Sequence, residues 1–483
     1  MKRVALLAGA AVACASVVLL AASAAGAKTN AARHVLVTPA TLPLRTAFVD
    51  ARSFSGASPA FGVAAAAGAS YIRVPINWGS LAPVVRPAGF VATDPASYAW
   101  SWLDTEVTTA EAAGLTPFLD ILSPPQWAYA IKPQRGNAGT PNTSELGQFA
   151  EALALHYDGT HGVAAVHVFQ VWNEPNNTHD LSPMNPTAYR AMVNAVANGV
   201  HGVSRSNLVV AGGLEPRGHP KTKKQQWWSM APLAYMRGVL CVSSGKHPHA
   251  TCKQPVQFDI WAHHPYTYDG PLGSARQPND VEVGDLPKMR ALLKAAVKLH
   301  QIVSTRPPQF WVTEFSWNTG PPHPRALPLP RAARWTAESL HQMWLSGVSL
   351  VTWYLLQDNP SPSPYQSGLY FDSPSITTAR AKPTLTAFRF PFVAYLKNGT
   401  VSIWGRDGTS DSQLVTIQLR HGSNGGWRTA ATIQANAVGI FKANLKPRAT
   451  KEDWMRAVAP GSGTSLAFSL TVPPPVHYGP WGN

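Results

Sequence analysis

Between about residue 43 and residue 355 the chain repeats one kind of unit eight times: a short β-branched or apolar run, then a longer segment with helical periodicity. The runs lie near residues 46–50, 70–74, 116–121, 165–172, 207–213, 258–263, 310–315 and 349–355. Strands separated by helices cannot pair as tight hairpins, so successive runs are expected to lie parallel, with the helices packed outside. The segment 286–303 illustrates the helical part. Asp285 stands at the capping position, Pro287 in the first turn, and Met289, Leu292, Leu293, Ala296 and Val297 on one face. Eight such units within about 350 residues point to a closed (β/α)8 barrel rather than an open doubly wound sheet. The absence of a G-x-G-x-x-G turn after the first run agrees.

After about residue 397 the pattern shortens to alternating segments between Gly, Asn and Asp turns: 401–405, 413–419, 427–433, 439–445 and 465–472. The expected fold class is therefore α/β, a TIM barrel over 43–395 with a small C-terminal β-sandwich domain and tail over 396–483, and a linker over 28–42. Two proline-rich loops, 320–330 and 359–364, follow late strands and are candidate cleft walls.

Residues 1–27 have the form of an export signal. Lys2 and Arg3 precede an apolar stretch from Val4 to about Ala22, and small residues follow, with cleavage expected after Ala24 or Ala27. The mature protein is then secreted or held at the cell surface, with no further segment apolar enough to be transmembrane. Cys14 leaves with the signal. Cys241 and Cys252 remain, 11 positions apart, and an exported protein is expected to join them as a disulfide. His247 and His249 between them leave a zinc site as the alternative.

The formal net charge is +15, from 40 Lys and Arg against 25 Asp and Glu. Such a surface favours anionic partners, an anionic cell-wall polymer among them, and no nucleic-acid motif accompanies it. The one dense basic group is Arg217, Lys221, Lys223 and Lys224.

The chemistry concentrates at two strand ends. Val171-Trp172-Asn173-Glu174-Pro175-Asn176 closes the fourth run, and Trp311-Val312-Thr313-Glu314-Phe315-Ser316-Trp317 spans the end of the seventh. Where a barrel strand meets its loop, a carboxylate faces the mouth rather than the core. A Glu in an apolar strand is costly unless it is paired or faces a polar cleft, so Glu314 requires such a setting. Strands four and seven lie across the mouth from each other, where two carboxylates can straddle one bond.

In these residues the chain resembles the clan A glycoside hydrolases, retaining barrel enzymes with glutamates ending strands four and seven, and is most similar to glycoside hydrolase family 39. The resemblance covers about residues 43–395. It implies Glu174 as acid/base and Glu314 as nucleophile in hydrolysis of O-glycosidic bonds of a carbohydrate, without a metal or organic cofactor. It further implies that Arg73 sits near the nucleophile, that His264 and Tyr266 contact substrate and nucleophile, and that Trp353 lies under the sugar; Asn173, adjacent to Glu174, can bind a sugar hydroxyl next to the reacting carbon. Trp78, Trp127 and Trp317 follow strands two, three and seven and are candidates for stacking on sugar faces; Asn77 and Asp120 are weaker candidates for the same cleft. Two alternatives use the same scaffold: a non-catalytic glycan-binding or wall-binding protein, and a transglycosylase with the same two glutamates.

Overall fold

The computed structural model describes residues 35–37, 41–134, 136–220, 222, 228–323, 326–408, 413–475 and 478. The export signal read at 1–27, and Lys221, Lys223 and Lys224 of the basic group, lie outside the described residues.

Eight parallel strands close into a barrel. In chain order they are β1 (Arg45–Val49), β2 (Tyr71–Asn77), β3 (Thr116–Leu122), β4 (Val168–Val171), β5 (Leu208–Leu214), β6 (Ile260–His263), β7 (Gln309–Phe315) and β8 (Leu350–Tyr354). Every neighbour pair is parallel, and β8 returns to β1 with Leu350 beside Arg45 and Tyr354 beside Val49. Each strand falls on a run expected from the sequence. The barrel interior is plugged by Ala47, Phe118, Val168, Val210, Ile260, Ala262, Trp311 and Leu350, with the Phe118 and Trp311 rings edge-on at 5.7 Å. This packed floor leaves no passage through the barrel, so polar side chains at the C-terminal ends of the strands share one mouth.

The helices form the outer layer, as their apolar stripes require. Asn142 caps the helix Thr143–His156 by accepting from the Ser144 and Glu145 amides, and Asn185 caps Pro186–Val203 in the same way. The helix expected over 286–303 stops at Lys298. His300 then turns with φ +55°, and Ile302–Val303 pairs in parallel with Val256–Gln257. Asp285 does not cap it with its side chain; that carboxylate accepts from the Ala275 and Glu282 amides instead.

Cys241 and Cys252 are disulfide-bonded, which removes the zinc alternative because both thiols are used. Among the described residues no helix is long and apolar enough to cross a membrane.

The C-terminal part forms antiparallel sheets. One joins β9 (Phe392–Lys397), β10 (Thr400–Arg406) and β13 (Ile440–Leu445). The other joins β11 (Leu414–Arg420), β12 (Arg428–Gln434) and β14 (Trp454–Ala459), with the short strands Gly463–Thr464 and Phe468–Ser469 beside β14. Residues Val35–Val37, within the stretch read as a linker, add a parallel strand to β12. Strand β14 escaped the sequence pattern because its inward residues are Met455, Ala457 and Ala459, two of them too small to mark an alternation.

A buried arginine ties these sheets to the barrel. Arg406, at the end of β10, donates to the Leu44 carbonyl at 3.0 Å and the Thr46 hydroxyl at 3.1 Å, at the entry to β1. Burial pushes its guanidinium down to about 10. Nearby, the Trp404 ring packs on Trp344 at 5.6 Å, and Trp344 donates to the Leu42 carbonyl. Arg406→Met is expected to lower stability by about 2–4 kcal/mol, since it strands two buried acceptors. Because the apolar residues of the barrel's outer layer and of the sheets form one cluster, unfolding should stay a single transition, which calorimetry of the mature chain will check.

Candidate active site

The mouth of the barrel is a cleft of 510 Å³, with Arg73, Asp120, Asn173, Asp180, Glu314 and Tyr354 among the residues lining it. At its centre is Arg73, on β2 and 3% exposed. One nitrogen donates to Asp120 at 2.6 Å and to Asn173 at 2.8 Å; the other donates to the Thr313 carbonyl at 3.1 Å and to Glu314 at 3.2 Å. One guanidinium thereby joins the ends of β2, β3, β4 and β7.

Glu314 reaches the cleft through a local irregularity. The register between β7 and β8 shifts between Val312 and Phe315, so the strict alternation of side chains breaks at this carboxylate. Its second oxygen accepts the Tyr266 hydroxyl at 2.8 Å. Burial and the Glu314 charge hold the Tyr266 phenol well above its usual range, so it remains a donor.

Glu174 is set by strained backbone. Trp172 and Glu174 both have positive φ, +70° and +40°, a conformation that side chains other than glycine adopt at a cost of about 1–3 kcal/mol each. The turn is held by the Glu174 amide donating to the Gly213 carbonyl and by Asn176, whose side chain bonds the Glu215 backbone in both directions. The Glu174 carboxyl meets His264 Nδ1 at 3.0 Å, and His264 Nε2 meets the Thr313 hydroxyl at 3.1 Å. Burial, then the charges of Arg73 and His263, keep the His264 imidazole well below its usual range and therefore neutral.

The two glutamates differ in surroundings. Burial, and after it the negative charges of Asp180, Glu215 and Glu314, push Glu174 well above the usual carboxylate range, with Arg73 opposing. Arg73 instead bonds Glu314 directly. Such a pair can offer a proton from one side and an anionic oxygen from the other.

Of the residues expected from the sequence, Arg73, Asn173, Glu174, His264, Tyr266 and Glu314 are brought together. Asp120 joins them as the Arg73 partner, raised to about 6 by burial although Arg73 lowers it. Trp78, Trp127, Trp317 and Trp353 do not line the cleft. Trp78 is fully buried and stacks on Phe149 at 4.8 Å. Trp127 donates to the Pro83 carbonyl and packs against Phe90 and Arg86. Trp317 is buried against Phe315, Trp335 and Tyr478. Trp353 is 1% exposed, donates to the Ser367 carbonyl and faces Phe388 in the outer layer. The correction follows from strand parity. Leu350 points into the barrel, so Thr352 and Tyr354 do as well, and Trp353 points out. Tyr354 is the aromatic that lines the cleft.

Sequence reasoning missed Asp180, Glu215 and Tyr354. Glu215 ends β5 in Leu214-Glu215-Pro216, the same position by which Glu174 and Glu314 were found, so its signal was available. Asn177 donates to it at 2.8 Å, yet burial still raises it to about 8. Asp180 accepts from Asn173 at 3.2 Å and is raised to about 6, chiefly by burial. It lies in an irregular loop with no periodicity to mark it.

No protein-family model and no curated protein matches this chain by sequence. Solved structures do match in fold. A family 39 glycoside hydrolase from the gut symbiont Bacteroides cellulosilyticus WH2 aligns with a TM-score of 0.52 at 16% identity, over 86% of this chain and 81% of that one. A monomeric beta-xylosidase from Caulobacter crescentus CB15 aligns with a TM-score of 0.52 at 14% identity, over 87% and 97%. A family 39 enzyme from Xanthomonas axonopodis pv. citri aligns with a TM-score of 0.50 at 16% identity, over 88% and 97%. The chain is thus structurally similar to barrel glycoside hydrolases of clan A, in agreement with the resemblance carried by its strand-end motifs.

The buried carboxyls fix the sign of the stability profile. Burial raises Glu106 to about 7 and Glu215 to about 8, and Glu174 further than its usual range. From about pH 4.3, where the unfolded carboxyls lose their protons, up to these raised values the folded chain keeps protons that the unfolded chain has lost, so their contribution to stability falls as pH rises. Below pH 6.5 the buried neutral histidines, His263 and His341 at about 4, act the other way. Above pH ~6.5 the histidines no longer oppose the carboxyls, so the melting temperature is expected to decline from pH ~6.5 to pH ~8, and Glu215→Gln should flatten that decline. Scanning fluorimetry across that range tests both.

Proposed function

We propose that this chain is a secreted retaining glycoside hydrolase, in which Glu174 is the acid/base and Glu314 the nucleophile. The observation that carries the reading is the division of the two strand-end carboxyls. Burial, and after it the surrounding negative charges, favour the protonated form of Glu174, whereas Glu314 is bonded by Arg73 and Tyr266.

The chemistry follows from that asymmetry. Glu314 attacks the anomeric carbon of the bound sugar while Glu174 gives its proton to the departing glycosidic oxygen, forming a glycosyl ester and releasing the leaving-group alcohol. Ester formation removes the Glu314 charge, one of the charges that raise Glu174. Glu174 then gives up protons more readily, so it now accepts one from water as that water attacks the anomeric carbon and frees Glu314. His264 stays neutral throughout and orients the Glu174 carboxyl, with the Thr313 hydroxyl fixing its other nitrogen. Asn173, held between Arg73 and Asp180, is placed to bond a sugar hydroxyl beside the reacting carbon. The export signal read at residues 1–27 would deliver this activity to glycans outside the cytoplasm.

A glycan panel assayed with the mature protein tests the reading. Glu174→Gln should lower kcat/KM by about 10²–10⁴-fold on glycosides with alcohol leaving groups, and by much less on aryl glycosides whose leaving oxygen needs no proton. Glu314→Gln should be inactive on both. An activated fluorosugar should label Glu314; a label on another residue rejects the nucleophile assignment. Asp180→Asn provides a further check, because the Asp180 charge raises Glu174. Its removal should shift the high-pH limb of kcat/KM to lower pH, and an unmoved limb contradicts the coupling.

A further inference from the structure

The positive charge of the chain is not concentrated at the cleft, and Arg217 of the basic group is already engaged. It pairs with Glu282 and lies 3.3 Å from the Tyr268 ring centroid. A different basic feature lies on the C-terminal sheet. Strand β11 reads Leu-Val-Thr-Ile-Gln-Leu-Arg and β14 reads Trp-Met-Arg-Ala-Val-Ala. Val415, Ile417, Leu419, Met455, Ala457 and Ala459 turn into the core, which places Gln418, Arg420, Trp454 and Arg456 together on the outer face. In the antiparallel register Arg420 is opposite Trp454, and Gln418 opposite Arg456.

The two guanidinium groups converge on Trp427, which precedes β12. Arg456 is 4.2 Å and Arg420 4.9 Å from its ring centroid, and Arg420 is also 5.5 Å from that of Trp454. Indole faces attract and flatten guanidinium groups, so the forks are held in place rather than free in solvent. Among the described residues neither arginine has an ion-pair partner. Asp453 is taken by His421 and by the Gly422 and Thr450 amides, and Glu452 is paired with Lys451. Arg456 bonds only the Gln418 side-chain oxygen, at 2.8 Å, and Arg420 Nε is buried with no hydrogen-bond partner among the described residues. Burial and the adjoining Arg420 charge hold Arg456 below the usual guanidinium range. Two like charges have thus been gathered on aromatic supports with no anion to neutralise them.

We propose that this face binds an acidic polysaccharide, a chain of sugars bearing carboxylates. Carboxylates bond the Arg420 and Arg456 forks, and the apolar faces of the pyranose rings pack on the indole surface left exposed at Trp427 and Trp454. The layout favours this ligand over other polyanions. Nucleic-acid affinity grows with the number of phosphates neutralised along a basic track, and here the charge is one pair. A membrane surface would call for protruding apolar side chains, whereas the neighbouring outward residues are Thr416 and Gln418. The site is separate from the cleft, so it stands or falls independently of the proposed hydrolysis.

Affinity electrophoresis of the whole mature chain in gels containing polygalacturonate tests the proposal, with hydroxyethylcellulose as the neutral probe. Polygalacturonate should retard the protein and hydroxyethylcellulose should not. Arg420→Ala with Arg456→Ala should weaken retardation by about tenfold, the scale of losing charge-assisted pairs. Lys446→Ala with Arg448→Ala removes the same charge from exposed positions of this part of the chain and should change it by less than about twofold. Arg420→Lys with Arg456→Lys keeps the charge but not the fork and should also weaken binding. The proposal is overturned if the two alanine pairs weaken retardation equally, if the lysine pair matches the unaltered protein, or if single-stranded DNA or phosphatidylserine vesicles bind this face more tightly than polygalacturonate.

Discussion

The site depends on one buried cation. Arg73 sits below the cleft with Asp120, Asn173, Glu314 and the Thr313 carbonyl around it, so its position fixes four strand ends relative to one another. Burial disfavours its charge, but Asp120, Glu314 and Glu174 outweigh that penalty and hold it above its ordinary value. The converse is as important. Carboxyl groups of Asp120, Glu174, Asp180 and Glu314 surround this guanidinium, and it cannot neutralise them all. The excess is relieved by protons: burial disfavours the Glu174 charge most, Asp180, Glu215 and Glu314 add to that, and Arg73 is not bonded to it. The difference between the two glutamates follows from burial and from how one positive charge is shared.

The backbone bears part of the expense of that arrangement. Ser123, Trp172, Glu174 and Leu355, all just beyond the ends of β3, β4 and β8, have positive φ without being glycine. None of these turns would hold by itself. Each is held by a neighbour: Leu355 donates to the Val49 carbonyl, Glu174 to that of Gly213, the Ser123 carbonyl accepts from the Gly79 amide, and beside Trp172 the Tyr189 hydroxyl bonds the Val171 carbonyl and the Gly212 amide. A packed barrel floor with Phe118 and Trp311 at its centre supplies the rigidity that strained strand ends require.

The barrel was legible because its signal is repeated. Eight apolar runs at helix-length spacing leave few other topologies, and the strand-end glutamates followed from where a barrel must put polar groups. What could not be read depended on side-chain direction. Trp353 and Tyr354 are adjacent and both aromatic, and only the register of β8 decides which one faces the cleft. Trp78, Trp127 and Trp317 follow strand ends, but a loop residue has no fixed parity, and burial against Phe149, Phe90 and Trp335 claimed them. Asp180 is a loop residue whose importance comes from three-dimensional proximity alone. Glu215 is different: the rule that found Glu174 and Glu314 applied to it, and it was passed over because no motif drew attention to it.

Charge is distributed in opposite senses over the molecule. The chain as a whole is basic, yet the cleft is lined by Asp50, Asp120, Asp180 and Glu314 with Arg73 and Arg52 as counterweights, and Arg52 is itself paired with Asp372. A field of this sign disfavours a carboxylate next to the reacting bond and favours the positive charge that develops on a sugar ring as its glycosidic bond breaks. Arginines left without acidic partners lie instead on the outer sheet, on Trp427 and Trp454. A polymer carrying both neutral and acidic sugars would be sorted by this separation, its anionic stretches held at the outer face and its neutral residues admitted to the cleft. On the proposed reading, attraction to the polymer and tolerance at the bond would be set by different residues, and either could change without disturbing the other.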